Sequence, residues 1–172
     1  MNYEMKFEHK SAFKVIGLSK EIRPENGYKE CPEFWNKEYG ERYARLWQTM
    51  KPENAEEQAV LDNQIGSFGV CVMSDDGSKF DYMIAGEYKG GEVPSGMKLY
   101  EFPESDWIMF SAKGAIPEEL QKLNDYIWCE WCKENEGKYD LSVNANIEYY
   151  SAGNPRSDDY EFGIWLPVVK KN

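Results

Sequence analysis

FDYMIAGEY at residues 80–88 and DDYEFGIW at residues 158–165 indicate an internal repeat, because each places an Asp-Tyr pair at the start of an apolar strand. Each is preceded by another strand, and that strand by a helix with apolar residues at intervals of three and four. A further strand precedes each helix. The order β-α-β-β therefore occurs twice, at about residues 3–90 and 97–170, on either side of a glycine-rich linker from Lys89 to Gly96.

The predicted elements alternate between short strands and two longer helices. In chain order they are strand Ala12–Ile22, helix Pro32–Met50, an acidic helix or loop Lys51–Asn63, strand Ile65–Met73, a hairpin turn Asp75–Ser78, strand Phe80–Tyr88, strands Lys98–Phe102 and Asp106–Ala112, helix Pro117–Lys133, and strands Val143–Tyr150 and Tyr160–Val169. A single repeat would leave its sheet edges open. We therefore expect one α+β domain over residues 1–172, with pseudo-twofold symmetry, one antiparallel sheet, both helices on one face and a ligand groove on the other.

The charge and the aromatic content limit the classes of partner. With 20 basic and 31 acidic residues the net charge is −11, which disfavours direct binding to nucleic acid or to an anionic membrane surface. Aromatic residues make up 15% of the chain, which is far too many for a disordered protein. The polar start, residues 1–10, has no apolar segment of a signal peptide, and no stretch approaches the ~20 apolar residues of a membrane span. We expect a cytoplasmic protein, with a protein partner or a homodimer left open.

The four cysteines and the single histidine do not form a recognisable metal or catalytic set. Cys129 and Cys132 form a CxxC pair near the end of a predicted helix, whereas a structural zinc site needs about four Cys or His ligands. The only histidine, His9, lies in the polar start, so no Ser-His-Asp triad is available. We expect no metal and no cofactor.

Strand alternation assigns a set of side chains to the face opposite the helices. The candidate ligand-binding residues are Phe13, Val15, Cys71, Met73, Met83, Ala85, Glu87, Trp107, Met109, Glu148, Tyr150, Glu161, Gly163 and Trp165. Aromatic and sulfur-containing side chains suit cations and varied shapes, and the small Ala85 and Gly163 would leave room for a ligand. The alternative for Trp107 and Trp165 is burial in the core, and for Glu87 and Glu161 it is a solvated sheet face.

The order and spacing of these motifs resemble the GyrI-like small-molecule-binding domains, which are also the effector-binding domains of AraC-type and MerR-type regulators. The resemblance rests on AFKVIGLS, PEFWNKEY, GVCV, FDYMIAGEY, VPSGMKLYEFPESDWIMF, IEYY and DYEFGIWLPV, and it spans about Tyr3 to Val169. It implies the tandem β-α-β-β fold, a groove that takes diverse small molecules, often lipophilic cations, and transcription regulation or multidrug binding as the setting. The family's last strand commonly reads Glu-hydrophobic-Trp-hydrophobic-Pro, with the Glu as the pocket acid, but here Gly163 stands at that position.

Two main functions follow from the sequence. The first is a small-molecule-binding protein that senses or sequesters its ligand without a DNA-binding domain of its own. The alternative is a hydrolase of small electrophilic compounds, with Glu161 or Glu87 as the general base, because some standalone members of the family are hydrolases. Haem binding is a third hypothesis, for which the chain offers only His9 as a histidine ligand.

Overall fold

The computed structural model describes residues 3–172, which fall into two compact units. The central unit is Phe13–Phe102, and the terminal unit combines residues 3–12 with Pro103–Asn172. Both units mix helices with antiparallel strands, so the predicted α+β class is confirmed. None of the helices described between residues 3 and 172 is long and apolar enough to cross a membrane.

The central unit contains four strands and three α-helices. They are β2 (Phe13–Ile22), α1 (Gly27–Phe34), α2 (Ala44–Thr49), α3 (Ala55–Asp62), β3 (Phe68–Met73), β4 (Phe80–Glu87) and β5 (Lys98–Phe102), with a 3-10 turn at Pro24–Asn26 and a π-helical segment at Trp35–Glu41. The strands lie in the order β3-β4-β2-β5, and every neighbouring pair is antiparallel. The predicted hairpin turn joins β3 to β4, where Asp76 accepts hydrogen bonds from Ser74 and Ser78 and Gly77 has a φ of 71°.

The terminal unit contains five strands and two α-helices. They are β1 (Glu4–Lys10), β6 (Ser105–Lys113), α4 (Glu118–Tyr126), a π-helical segment at Ile127–Trp131, α5 (Cys132–Glu134), β7 (Tyr139–Leu141), β8 (Ala145–Tyr150) and β9 (Glu161–Lys170). The strand order is β1-β6-β9-β8, and β7 pairs with β9.

Each unit buries one face of its sheet under its own helices. In the central unit Ile16, Tyr82 and Ile84 pack with the helical residues Phe34 and Leu46. In the terminal unit, the corresponding helix-side core consists of Ile108, Phe110, Leu120, Leu123, Ile127, Trp131, Tyr160, Phe162, Ile164, Leu166 and Val168. Side chains alternate along a strand, so these two cores define which residues face away from the helices.

Two strands and one helix start differ from the sequence expectation. The sequence predicts no strand in the polar start that forms β1, and β7 is absent from the predicted order. The first helix begins at Gly27 instead of Pro32, so Pro32 lies inside α1. β1 belongs to the first predicted repeat but pairs with β6 of the terminal unit, which consists mainly of the second repeat. β5 belongs to the second repeat but pairs with β2 of the central unit, which consists mainly of the first.

Candidate functional site

The face of the terminal sheet away from its helices carries a cluster of large side chains. Met109 lies directly opposite Trp165, and Trp107 opposite Pro167, in the β6–β9 pairing. None of these belongs to the helix-side core. Trp107 is buried, whereas Met109 and Trp165 are partly exposed. We call this surface, formed by Trp107, Met109, Tyr149, Gly163 and Trp165, the Trp165 face.

Trp165 contacts both an aromatic ring and a cation. The Tyr149 ring stacks on it, with centroids 5.1 Å apart and an interplanar angle of 16°. The Lys10 ammonium lies over the indole, 5.4 Å from the ring centroid. Tyr149 comes from β8, the neighbour of β9, whereas Lys10 comes from β1, which lies on the other side of β9 beyond β6. The arrangement shows that the negative π-face of Trp165 accepts a positive charge in this fold. Neither Tyr149 nor Lys10 is among the residues that the sequence predicts for the site.

Gly163 does not leave an empty space at the centre of this face. A Cβ built on Gly163 would lie 2.4 Å from the carbonyl oxygen of Phe110. The backbone of β6 therefore occupies the place where the family's glutamate would begin, and the expectation that this glycine makes room for a ligand is wrong. The central unit has a similar close approach, because a Cβ at Gly17, which lies opposite Ala85, would be 2.0 Å from the Ile84 oxygen.

The corresponding face of the central sheet also carries aromatic rings. Phe13 stacks on Phe102 at 5.3 Å between centroids, and Tyr100 meets Phe102 edge to face at 4.9 Å. Val15 lies between Tyr100 and Glu87 in the strand pairing. Burial raises the pKa of the Tyr100 phenol, so this ring is held neutral and partly out of water. Tyr100 and Phe102 are not among the predicted site residues.

The remaining candidates of the central unit split between the two faces. Met83 and Ala85 are buried, and they alternate with the helix-side residues Tyr82 and Ile84 along β4, so they face away from the helices. Cys71 and Met73 instead pack against the helix-side core. Their assignment to the ligand face is wrong, because cross-strand partners share a face and Cys71 pairs with the core residue Tyr82.

A similar correction applies to β8. Tyr150 packs against the helix-side core and pairs with Phe162, and Glu148 pairs with Ile164 on that face. The Tyr150 hydroxyl donates a hydrogen bond of 2.9 Å to the Glu148 carboxylate. The sequence predicts both residues on the opposite face, where the structure places Ile147 and Tyr149 instead.

The two candidate acids lie in open surroundings beside lysines. The Glu161 carboxylate is 3.1 Å from Lys113 Nζ and its side chain is 63% exposed. The Glu87 carboxylate is 3.4 Å from Lys89 Nζ and 53% exposed. A general base works best when it is held against a bound substrate in a site that excludes water. These environments suit surface charge, and they do not favour the hydrolase hypothesis.

The structure offers no grouping typical of a metal centre within residues 3–172. Cys129 and Cys132 are both free thiols, and burial raises the pKa of Cys132. The two ring nitrogens of His9 lie 2.7 Å from Asp106 and 3.3 Å from Glu104. Both nitrogens are engaged by carboxylates on an exposed strand, which is a poor arrangement for a haem ligand.

The comparisons with known proteins agree with this fold. A model of the GyrI-like small molecule binding domain matches residues 3–169. No curated protein matches this chain. The structure of SAV2435 bound to tetraphenylphosphonium is 22% identical with a TM-score of 0.74, covering 98% of this chain and 94% of that one.

Two further solved structures share the architecture. A Staphylococcus aureus protein assigned to transcription regulation is 20% identical with a TM-score of 0.63, and the match covers 100% of this chain and 99% of that one. The C-terminal domain of EcmrR is 13% identical with a TM-score of 0.60, and the match covers 99% of both chains. At these identities the likeness to solved structures concerns the fold alone.

Proposed function

The chain belongs to the GyrI-like family of small-molecule-binding domains, and we propose that it binds lipophilic cations. In this proposal residues 3–172 act as a sensing or sequestering module in the cytoplasm, and contact with DNA is left to another domain or chain. The net charge of −11 supports both parts, because it attracts cations and repels phosphate backbones.

The observation that carries the proposal is the position of Lys10 over Trp165. An ammonium at 5.4 Å from an indole centroid makes a cation–π contact of the kind that recognises ligand cations. The stacked Tyr149 ring holds the indole in place. A ligand cation that displaced Lys10 would therefore meet a fixed aromatic face. The ligand-bound structure of SAV2435 supports this choice, since tetraphenylphosphonium is a lipophilic cation.

The aromatic face of the central unit supplies a second set of groups suited to such a ligand. Phe13, Tyr100 and Phe102 offer apolar ring surface, and Glu87 adds a carboxylate two strands away from Tyr100. Phenyl groups gain from burial against such rings, and a positive centre gains from the acid. We propose that Val15 and Met83 border this surface as apolar contacts.

Calorimetric titration with tetraphenylphosphonium tests the proposal. Trp165→Leu removes the π-face, and a cation–π contact of about 0.5–2 kcal/mol predicts a loss of roughly 2- to 30-fold in affinity. Trp165→Phe keeps an aromatic face and should retain part of the affinity. Trp47→Leu is the matched control, because Trp47 is an exposed tryptophan on the helical side. Equal affinity of the Trp165→Leu variant and the wild type, or no binding of this cation by the wild type, would refute the proposal.

A further inference from the structure

β1 presents an open, partly apolar edge among the strands described in residues 3–172. It is the first strand in the order of the terminal sheet and pairs with β6 along all seven residues from Glu4 to Lys10. Two large apolar side chains stand out on its helix-side face, Met5 at 46% exposure and Phe7 at 58%. An edge strand of this kind is a template for pairing with another strand. Its exposed apolar residues would gain from being covered.

The charges of β1 are arranged so that the strand is complementary to itself. Its sequence is EMKFEHK, with Phe7 at the centre. When two copies pair antiparallel about Phe7, Lys6 of one copy faces Glu8 of the other, and Glu4 faces Lys10. Each of these pairs occurs twice in the dimer, so four ion pairs form and no like charges meet. Directly opposed side chains share a face, which makes opposite charges stabilising and like charges destabilising.

We propose that β1 is a dimerisation edge whose partner is a second copy of this chain, paired antiparallel about a two-fold axis at Phe7. The two Phe7 rings then lie opposite each other, and Met5 of each copy faces His9 of the other. A strand of unrelated sequence would have to match four alternating charges, whereas a second copy matches them by symmetry. Each copy carries a net charge of −11, so association depends on this local complementarity.

The two faces of the paired strands have different surroundings. The charged set lies on the side of the Trp165 face, because Lys6 pairs with Met109 and Glu8 with Trp107. The apolar set lies on the helix side, where the Phe7 ring is already 6.3 Å from the Tyr139 ring. The second Phe7 ring extends this aromatic row. A seven-residue edge buries less than the ~1,200 Å² of a standard interface, so we expect a weak dimer that forms in the micromolar to millimolar range.

Charge reversal tests the pairing through sedimentation velocity over about 10 µM to 1 mM protein. We expect the wild type to shift from its 20.0 kDa monomer to twice that mass as the concentration rises. In a dimer of the Lys6→Glu variant, the two pairs beside Phe7 become glutamate against glutamate. In a dimer of the Glu8→Lys variant, the same two pairs become lysine against lysine. Each variant alone should stay monomeric. Lys79→Glu, which makes the same charge change as Lys6→Glu outside β1, should dimerise like the wild type.

Mixing the two variants gives the decisive measurement. In a mixed dimer, the Lys6→Glu chain carries glutamate at both positions 6 and 8, and the Glu8→Lys chain carries lysine at both. Position 6 of each chain faces position 8 of the other, so every glutamate faces a lysine and the charge complementarity returns. An equimolar mixture of the two chains should therefore dimerise although neither does so alone. A monomeric wild type at all concentrations overturns the proposal. Dimers that persist in both single variants also overturn it. The same holds for a mixture that stays monomeric although circular dichroism shows both chains to be folded.

Discussion

Replacing Gly163 with alanine should destabilise the terminal unit. The added Cβ would lie 2.4 Å from the Phe110 carbonyl oxygen, about 1 Å inside the ordinary contact distance of 3.4 Å. The obstructing atom is strand backbone, so β6 or β9 has to shift, and overpacking of this kind costs typically about 1–3 kcal/mol. For a chain of this size each kcal/mol lowers the melting temperature by roughly 2–4 °C. We expect a decrease of roughly 4–8 °C, from a cost of about 2 kcal/mol.

Thermal unfolding followed by circular dichroism measures this shift. Gly40→Ala is the matched control, because its Cβ would meet the Trp35 oxygen at 3.4 Å and the residue lies in a helical segment. Alanine is about 0.5–1 kcal/mol better than glycine in a helix, so the control should be neutral or slightly stabilising. If Gly163→Ala melted at the wild-type temperature, the argument that β6 excludes a side chain at this position would be refuted.

Two further outcomes follow from β1. Lys10→Met should strengthen tetraphenylphosphonium binding by roughly two- to fivefold, because the ammonium that occupies the Trp165 ring is removed; titration that shows weaker or equal binding contradicts this. Hydrogen bonds to Asp106, and then to Glu104, raise the pKa of His9 in the folded protein above its unfolded pKa near 6.5. The protonated imidazole therefore stabilises the folded state fully below the unfolded pKa, and this stabilisation disappears as the pH rises through the folded pKa. His9→Gln should therefore lower the melting temperature at about pH 5.5 and have no effect at about pH 8.5; an equal decrease at both values is the contrary result.

The sequence predicted the elements that have clear periodicity. The β3–β4 hairpin was predictable because Asp-Gly turn chemistry lies between two apolar runs. β1 was not, because only Met5 and Phe7 are apolar in seven residues, and an edge strand needs no continuous apolar face. The start of α1 was misplaced because Pro32 resembles a first-turn proline, whereas it lies inside the helix.

The face assignments failed where a strand is apolar on both sides. In β3, Phe68 and Val70 alternate with Cys71 and Met73, so hydrophobicity alone does not tell which set meets the helices. The pairing register decides it, because Cys71 lies opposite Tyr82. The same applies to β8, where Tyr149 and Tyr150 are equivalent by residue type. Cross-strand pairing depends on the whole sheet and is not encoded within a single strand.

The departure at Gly163 changes how cation recognition is expected to work in this chain. The family's usual acid is absent, and the backbone of β6 occupies its place. The nearest acid along the same strand, Glu161, is exposed and bound to Lys113, so solvent and salt weaken its attraction. The Trp165 ring, by contrast, is fixed by Tyr149 and already carries the Lys10 ammonium over its face. Under the proposed function, recognition in this unit would therefore depend on the aromatic face and on the ease with which a ligand displaces Lys10, and the net charge of the chain would serve mainly to attract the cation from solution.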